Sequence, residues 1–457
     1  MTDKEANRFG ARAARYLAIG AQAGGLAAKM VGARLLGEGG GADAQALANA
    51  LGGLKGPLMK AAQLLATIPE ALPEDYAEAL ATLQSEAPPM GAAFVRRRMA
   101  TELGPDWRAK FAAFDLHPAA AASLGQVHRA TTHEGAAVAC KLQYPDMASA
   151  VEADLVQLNA ALALHRQFGA AIDATDAGQE LADRLREELD YRREARHAAL
   201  YRDMLATRDD IRVPAVHEGL STGRLLTLDW LDGDKLTACA GAPEVERNRI
   251  AAAIFGAWWS PFAHYGIIHG DPHLGNYTVF RRDGAAAGIN LLDYGCVRIF
   301  SPAFVDGVVA LYRGLLEGDG DRVASAYERW GFRGLNRDLI ETLTIWARFI
   351  LGPLLDDRIR TIADGVSPGA YGRREAVEVH RRLRENGPVR IPREFVFMDR
   401  AAIGLGGAFL RLEARLNFHR LFEEALESFD VGALAARQAT ALQQVGLGAN
   451  LTQITLT

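Results

Sequence analysis

Asp271, Asn276 and Asp293 are the side chains on which chemistry can be built. Asp271 and Asn276 stand five positions apart in His269-Gly270-Asp271-Pro272-His273-Leu274-Gly275-Asn276, and Asp293-Tyr294-Gly295 opens seventeen residues later. An amide oxygen and a carboxylate supply ligands for magnesium, while a further carboxylate can orient or deprotonate an acceptor. Phosphoryl transfer asks a protein for little more, because the work lies in fixing metal ions between phosphate oxygens and aiming the nucleophile. Asn276 and Asp293 are therefore candidate metal ligands and Asp271 the candidate base. The same Asp and Asn also suit a plain turn in which both cap local backbone. The strand-like run Ile289-Asn290-Leu291-Leu292 that feeds Asp293 favours the chemical reading.

This spacing is that of a kinase catalytic loop followed by its second metal-binding carboxylate. Such a site needs a lysine for the nucleotide phosphates, and Val138-Ala139-Cys140-Lys141 resembles the strand that carries one. Downstream, a predicted helix bears Glu187, Glu188, Asp190 and Glu194 as possible partners for Lys141. An ion pair near 4 Å in an effective dielectric of 20 is worth about 4 kcal/mol before desolvation, enough to position a side chain. The loop before the strand departs from the pattern. A phosphate cover loop is normally Gly-rich, so that backbone amides can approach closely. Here Pro118-Ala119-Ala120-Ala121-Ala122-Ser123-Leu124-Gly125 stands in its place. It reads either as an extra helical turn or as a cover loop whose Cβ atoms hold phosphate farther off. Lys60, Gln63 and Thr67 fall on one stripe of a helix begun by Pro57, which by itself suits a solvated face.

The elements that must position these groups follow from pattern and breakers. Residues 1–112 read as helical, broken at Gly39-Gly40-Gly41, Gly52-Gly53, Pro69, Pro73 and Pro88-Pro89. Gln126 to Thr131 alternates, His133-Glu134-Gly135 turns, and Ala136 to Gln143 resumes as the second strand of a hairpin. Residues 146–205 read as helical again, Val213-Pro214 and Leu225 to Leu231 as short strands, and Asp232-Gly233-Asp234 as a connector. Beyond it come mainly helices, interrupted by a strand-loop region from Ile267 to Ile299. At 457 residues, two or three cooperating units are expected. A net charge of −5 with no Lys/Arg block gives no reason to invoke nucleic acid. Cys140, Cys239 and Cys296 are too dispersed for a paired-thiol metal site and suit a reducing compartment. No secretory signal is visible, and Tyr16 to Gly37, interrupted by Gln22, Lys29 and Arg34, suits an interfacial or core-packing helix better than a span.

Taken in order, these segments resemble the UbiB/AarF-type atypical kinases, which include the mitochondrial ubiquinone-biosynthesis kinases. Lys60-Ala61-Ala62-Gln63 is similar to the family's KxGQ motif, and Ala120 to His128 to its Ala-rich loop. Lys141-Leu142-Gln143-Tyr144-Pro145 resembles the strand-lysine segment, Glu188-Leu189-Asp190-Tyr191 the ExD motif, and His269–Asn276 with Asp293–Gly295 the catalytic and metal loops. The match runs from about residue 10 to 430. Ala62 stands for the motif's Gly, Leu274 for a usual Pro and Tyr294 for Phe; none of the three removes a charged or metal-binding group.

The resemblance implies an α+β, protein-kinase-like two-lobe fold. A helical N-terminal extension (1–112) would precede an N-lobe with the Ala-rich loop and ExD helix (113–232) and a mainly helical C-lobe (233–457). It implies ATP and Mg2+ as cofactors, ATPase rather than ordinary protein-kinase behaviour, and support of ubiquinone or other isoprenoid-quinone synthesis. By carry-over, Lys60 and Gln63 reach the nucleotide facing Glu188 and Asp190, and Ala120, Ala121, Ala122 and Ser123 cover it. Glu194, with Glu188 as second choice, pairs with Lys141, and Asp229, Trp230 and Leu231 meet adenine through backbone. Quinone precursors or lipids, and the enzymes of that pathway, are the implied partners, with the protein cytoplasmic or peripheral at the inner membrane surface. Two rival readings are a small-molecule phosphotransferase of the aminoglycoside or choline kinase type, which shares His-Gly-Asp-x4-Asn, and a catalytically silent lipid- or partner-binding scaffold.

Overall fold

A computed structural model of the chain describes residues 90–122, 124–152, 155, 182–183, 185–364, 378–379, 381–382 and 392–448. Lys60, Gln63, Ser123 and the Tyr16 to Gly37 segment lie outside the described residues. By internal contacts the chain divides into two compact units. The first runs to Arg192 and takes in His217–Leu228, and the second comprises Arg193–Val216 and everything from Asp229 onward.

Among its described residues the first unit has a helix laid on an antiparallel sheet. Helix α1 (Ala92–Leu103) leads through a 3-10 turn at Trp107–Lys110 into β1 (Ala113–Phe114), β2 (Ala120–Ala122), β3 (Gly125–Thr131) and β4 (Ala137–Gln143). The strand order is β1-β3-β4 and then the strand Leu225–Asp229, with β2 paired to β3 beside β1. The expected hairpin is present, closed where Gly135 takes φ +85 and Thr132 N–H bonds Ala136 O at 2.9 Å. Along β4 the alternate residues Val138, Cys140 and Leu142 point inward to Val95, Met99, Trp107, Phe111 and Leu225. Each fully buried side chain of this kind contributes roughly 1.5–3 kcal/mol. The period of two then puts Lys141 on the opposite face of the sheet from that core. Arg98 fastens α1 to the sheet: its Nε donates to Gln143 O at 3.4 Å, and its guanidinium meets Glu102, which also accepts from Thr222 Oγ1 at 2.6 Å.

Two expectations about this region are corrected. The Ala120–Ala122 segment is neither a helical turn nor an open loop; it is an edge strand in register with Val127, Gln126 and Gly125 of β3. Cross-strand pairing overrides alanine's helical preference there. Nor do Glu187, Glu188, Asp190 and Glu194 share one helix. The chain turns at Glu188-Leu189, Asp190 is non-helical, and α2 (Tyr191–Met204) starts afresh. Asp190 Oδ1 accepts the Arg192 N–H at 3.0 Å, satisfying one of the donors left at the new helix start.

The second unit begins within α2. Its sheet has the order β5-β10-β9-β7, from β5 (Ile211–Arg212, two residues before the expected strand), β7 (Asp234–Lys235), β9 (Tyr277–Arg282) and β10 (Ala285–Leu291); the strand Leu225–Asp229 named above is β6. Asp283 and Gly284 at φ 52 and 80 make the tight β9–β10 turn, the left-handed pair that two-residue hairpins favour. A separate ribbon pairs β8 (Ile267–His269) with β11 (Val297–Ile299). Helix α3 (Glu244–Tyr265) is buried on most sides, with Ile250, Ile254, Phe255, Trp258, Trp259 and Phe262 among its inward residues. It ends at Gly266, whose left-handed φ of +64 and close approach to Gln438 exclude a side chain, and the chain reverses directly into β8. Further helices among the described residues include α4 (Pro302–Glu317), α5 (Gly320–Arg329), α6 (Arg337–Leu351), α7 (Arg393–Leu412), α8 (Phe418–Ala425) and α9 (Val431–Gln444). Phe409, Phe418 and Phe422 of α7 and α8 stack with Phe255 and Trp259 of α3 into one aromatic core. That core fixes the helix from which β8 springs. Among the described residues no helix is long and apolar enough to cross a membrane.

Candidate nucleotide and metal site

In the second unit the loops that carry the three residues singled out by spacing are joined by hydrogen bonds. Asn276 Nδ2 donates to Asp271 O at 2.8 Å, which leaves the amide oxygen as the atom to offer a cation. Leu292 N–H bonds Asn276 O at 3.0 Å and Gly270 N–H bonds Cys296 O at 2.6 Å, so the Asp271 loop and the Asp293 loop are stitched side by side. Asp293 Oδ1 accepts the Gly295 N–H at 2.9 Å, which orients the carboxylate within its own turn. All three side chains are half-buried.

His269 ties the loops from beneath. Its ring is buried; Nδ1 accepts the Asp271 N–H at 3.4 Å and Nε2 meets Asp293 O at 2.5 Å. A carbonyl oxygen only accepts, so the proton sits on Nε2. Tyr294 is fully buried and donates to Leu291 O at 2.6 Å, while Trp258 Nε1 donates to His269 O at 3.2 Å. Burial, then the charge of Asp271, pushes the Tyr277 hydroxyl well above its ordinary value, so the ring beside the candidate base remains a neutral phenol. Two close approaches are needed for this arrangement. A Cβ on Gly270 would lie 2.9 Å from Cys296 Sγ, and one on Gly404 of α7 would lie 2.8 Å from Pro272 Cγ.

In the first unit the edge strand Ala120–Ala122 folds back on β3 through Leu124 and Gly125. A Cβ at Gly125 would collide with the Leu142 carbonyl and stand 3.0 Å from Tyr191 Oη, so glycine is required there by crowding. Lys141 pairs across the sheet with Val127, and its Nζ lies 5.3 Å from the centre of the Tyr191 ring, within cation–π range. Tyr191 is in turn placed by its N–H bond to Gly223 O at 3.3 Å, and Leu189 by Gln143 Nε2 at 3.1 Å. Gln126 and His128, adjacent to the Ala strand, are structural. His128 Nδ1 donates to Asp115 O at 2.9 Å, its Nε2 meets Gln126 Nε2 at 2.8 Å, and burial holds its pKa below the ordinary value.

The first unit thus gathers Ala120, Ala121, Ala122, Lys141, Glu188 and Asp190, and the second gathers Asp271, Asn276, Asp293 and the buried Glu194. Glu194 lies close enough to Tyr294 for its charge to help raise that phenol, after burial and the neighbouring Tyr201 and Asp293. The division between units falls between Leu228 and Asp229. Asp229 N–H is committed to Ala215 O at 3.0 Å and its carboxylate to Ala215 N–H, so of the expected adenine segment the Asp229 amide is already spent. Trp230 Nε1 donates to Asp232 Oδ1 at 2.8 Å.

Hard oxygen donors from one amide and one carboxylate fit magnesium, which binds proteins through one or two carboxylates and completes its octahedron with phosphate and water. Among the described residues no group of three His, Cys, Asp or Glu stands ready to hold a metal alone. Tyr191, Gly125, Gly270 and His269 stand within the quoted motifs, but the sequence assigned none of them these roles. Their signal was their place beside the proposed site positions.

Comparison with known proteins places the chain in a family. Residues 82–327 match the ABC1 atypical kinase-like domain. The chain is 30% identical over 322 residues to the mitochondrial atypical kinase coq-8 of Caenorhabditis elegans, covering 69% of this chain and 42% of that protein. It is 35% identical over 222 residues to the mitochondrial atypical kinase COQ8B of Rattus norvegicus, covering 49% and 42%, and 31% identical over 262 residues to COQ8 of Saccharomyces cerevisiae, covering 57% and 51%. The chain therefore spans about half or less of the length of these relatives. A solved structure of Rv3197 from Mycobacterium tuberculosis, in complex with erythromycin, superposes with TM-score 0.58 at 24% identity over 87% of this chain and 98% of that one.

Proposed function

The chain belongs to the ABC1 atypical kinase-like family, and from that membership we propose that it is an ATP- and magnesium-dependent kinase-like ATPase supporting the synthesis of ubiquinone or another isoprenoid quinone. The observation that supports this most is the stitched pair of loops, in which Asn276 donates to Asp271 O and Leu292 donates to Asn276 O. Base and metal ligands are thereby set by one hydrogen-bonded frame, which is what phosphoryl transfer requires of a protein.

In this reading Asn276 Oδ1 and the Asp293 carboxylate hold the cation, and Asp271 orients the attacking hydroxyl or water and receives its proton. Magnesium, when bound, neutralises charge on the phosphate oxygens. Lys141, whose Nζ lies 5.3 Å from the centre of the Tyr191 ring, contacts the phosphates. Glu194 is its proposed ion-pair partner, with Glu188 in reserve. The Ala120–Ala122 strand and Ser123 cover the nucleotide, and Trp230 and Leu231 offer backbone to adenine. Lys60 and Gln63 are assigned to the nucleotide on the strength of the motif alone, as are their facing partners Glu188 and Asp190. Quinone precursors or lipids at a membrane face are the proposed partners.

Steady-state phosphate release by the full chain tests this reading, with and without liposomes and phenolic quinone precursors. Magnesium-dependent turnover, raised by those additions and abolished in Asp271→Asn, is expected. ATP binding with no release under any of these conditions would leave a scaffold in place of an enzyme.

A further inference from the structure

Two buried histidines hold neighbouring carbonyl oxygens of the metal loop. His269 Nε2 meets Asp293 O at 2.5 Å, and His197 Nδ1 meets Tyr294 O at 3.1 Å. Each ring is only 1% exposed. Both rings must present N–H to their carbonyls, since a carbonyl oxygen has nothing to donate. With consecutive carbonyls pinned and the Asp293 carboxylate held by the Gly295 N–H, rotation of this segment requires breaking buried bonds at more than one point.

The two clamps come from different elements. His269 ends β8 and belongs to the Asp271 loop, whereas His197 sits mid-way along α2. Glu194 precedes His197 by three residues and Tyr201 follows it by four, so all three share one helical stripe. Tyr201 packs its ring 5.7 Å from that of Tyr294 and 6.1 Å from that of His269. A shift of α2 along its axis would therefore be felt at the Tyr294 carbonyl, one residue from the metal-binding carboxylate.

We propose that His197 is a positioning residue that couples helix α2 to the magnesium-binding geometry of Asp293. The inference rests on the proposed function, because it concerns the cation that Asn276 and Asp293 would hold. It assigns His197 no contact with nucleotide or metal. Its effect is on the concentration of magnesium needed, through the direction in which the Asp293 side chain leaves the backbone.

The test compares His197→Asn with His197→Gln in the full chain. The asparagine amide nitrogen falls near the position of Nδ1 and can still donate to Tyr294 O, while the glutamine amide falls near Nε2 and cannot. ATP binding is followed by calorimetry across a MgCl2 series, and urea midpoints are measured alongside. His197→Gln is expected to raise the half-saturating magnesium about fivefold, the worth of one lost hydrogen bond. His197→Asn is expected to stay within about twofold of the parent on the same scale. Tyr201→Phe, which removes a buried hydroxyl that has no partner among the described residues, is expected to match the parent. Equal magnesium requirements in parent and Gln variant would overturn the inference, as would equal shifts in the Asn and Gln variants, since a merely structural role would move both alike. Nucleotide binding by the parent that ignores magnesium would instead overturn the proposed function, and this inference with it.

Discussion

Replacing Gly270 with alanine probes the seam between the Asp271 loop and the Asp293 loop. The added Cβ would sit 2.9 Å from Cys296 Sγ and 3.1 Å from Cys296 O, where ordinary contact begins at 3.4 Å. The carbonyl is not free to retreat, because it accepts the Gly270 N–H at 2.6 Å. Overpacking of this kind costs about 1–3 kcal/mol. Much of the clash is with sulfur, so Cys296→Ala should relieve it. Alone, that substitution removes one half-buried atom and should cost about 1 kcal/mol or less. In the double variant the two effects should fail to add by about 1 kcal/mol in the favourable direction, as contacting pairs do. Urea denaturation of the parent, both single variants and the double variant measures all the terms. Phosphate release should fall in Gly270→Ala and recover in part in the double variant, since the seam aligns Asp271 with Asp293. A Gly270→Ala protein of parental stability, or a strictly additive cycle, would refute the packing on which the site is built.

Burial holds His128 below its ordinary pKa of 6.5, with Asp115 only partly opposing. The unfolded chain then binds the extra proton first, so stability is full above about 6.5 and is lost as pH falls below it. The urea midpoint should drop between pH 7 and pH 5, and His128→Asn, which keeps a donor for Asp115 O, should flatten that slope; an unchanged slope would count against the assignment. In the Ala120–Ala122 strand, alanine to glycine removes the Cβ atoms proposed to face a bound phosphate and loosens the edge pairing with β3. Altered ATP-versus-ADP preference or autophosphorylation is expected, and affinities identical to the parent with no autophosphorylation would remove the cover role.

Candidate chemical groups stand out in the sequence more readily than the scaffolding around them. That the loops of Asp271, Asn276 and Asp293 lie side by side was legible because the spacing is local and the loops are short. Lys141 was legible because a period-two strand puts every second residue on one face. The break at Glu188-Leu189-Asp190 was not, since no glycine or proline marks it, and it depends on Tyr191 bonding Gly223 and Leu189 bonding Gln143. Ala120–Ala122 read as a helical turn or a cover loop, and only its pairing with a strand that follows it in sequence makes it extended. The histidine clamps were invisible for a related reason. His197 reaches a carbonyl 97 residues away and His269 one 24 residues away, and no local pattern foretells which imidazole will find which oxygen. Lys60, Gln63 and Ser123 remain motif-level assignments outside the described residues.

Asp293, with Asn276, is proposed to bind the magnesium that accompanies ATP. Calorimetric titration of ATP into the parent and into Asp293→Asn, each with and without MgCl2, addresses it directly. Losing a charge-assisted contact worth roughly 1.5–3 kcal/mol should weaken magnesium-supported binding about tenfold to a hundredfold. Binding without magnesium should stay as it is in the parent. An Asp293→Asn protein that takes up MgATP as tightly as the parent would contradict the account.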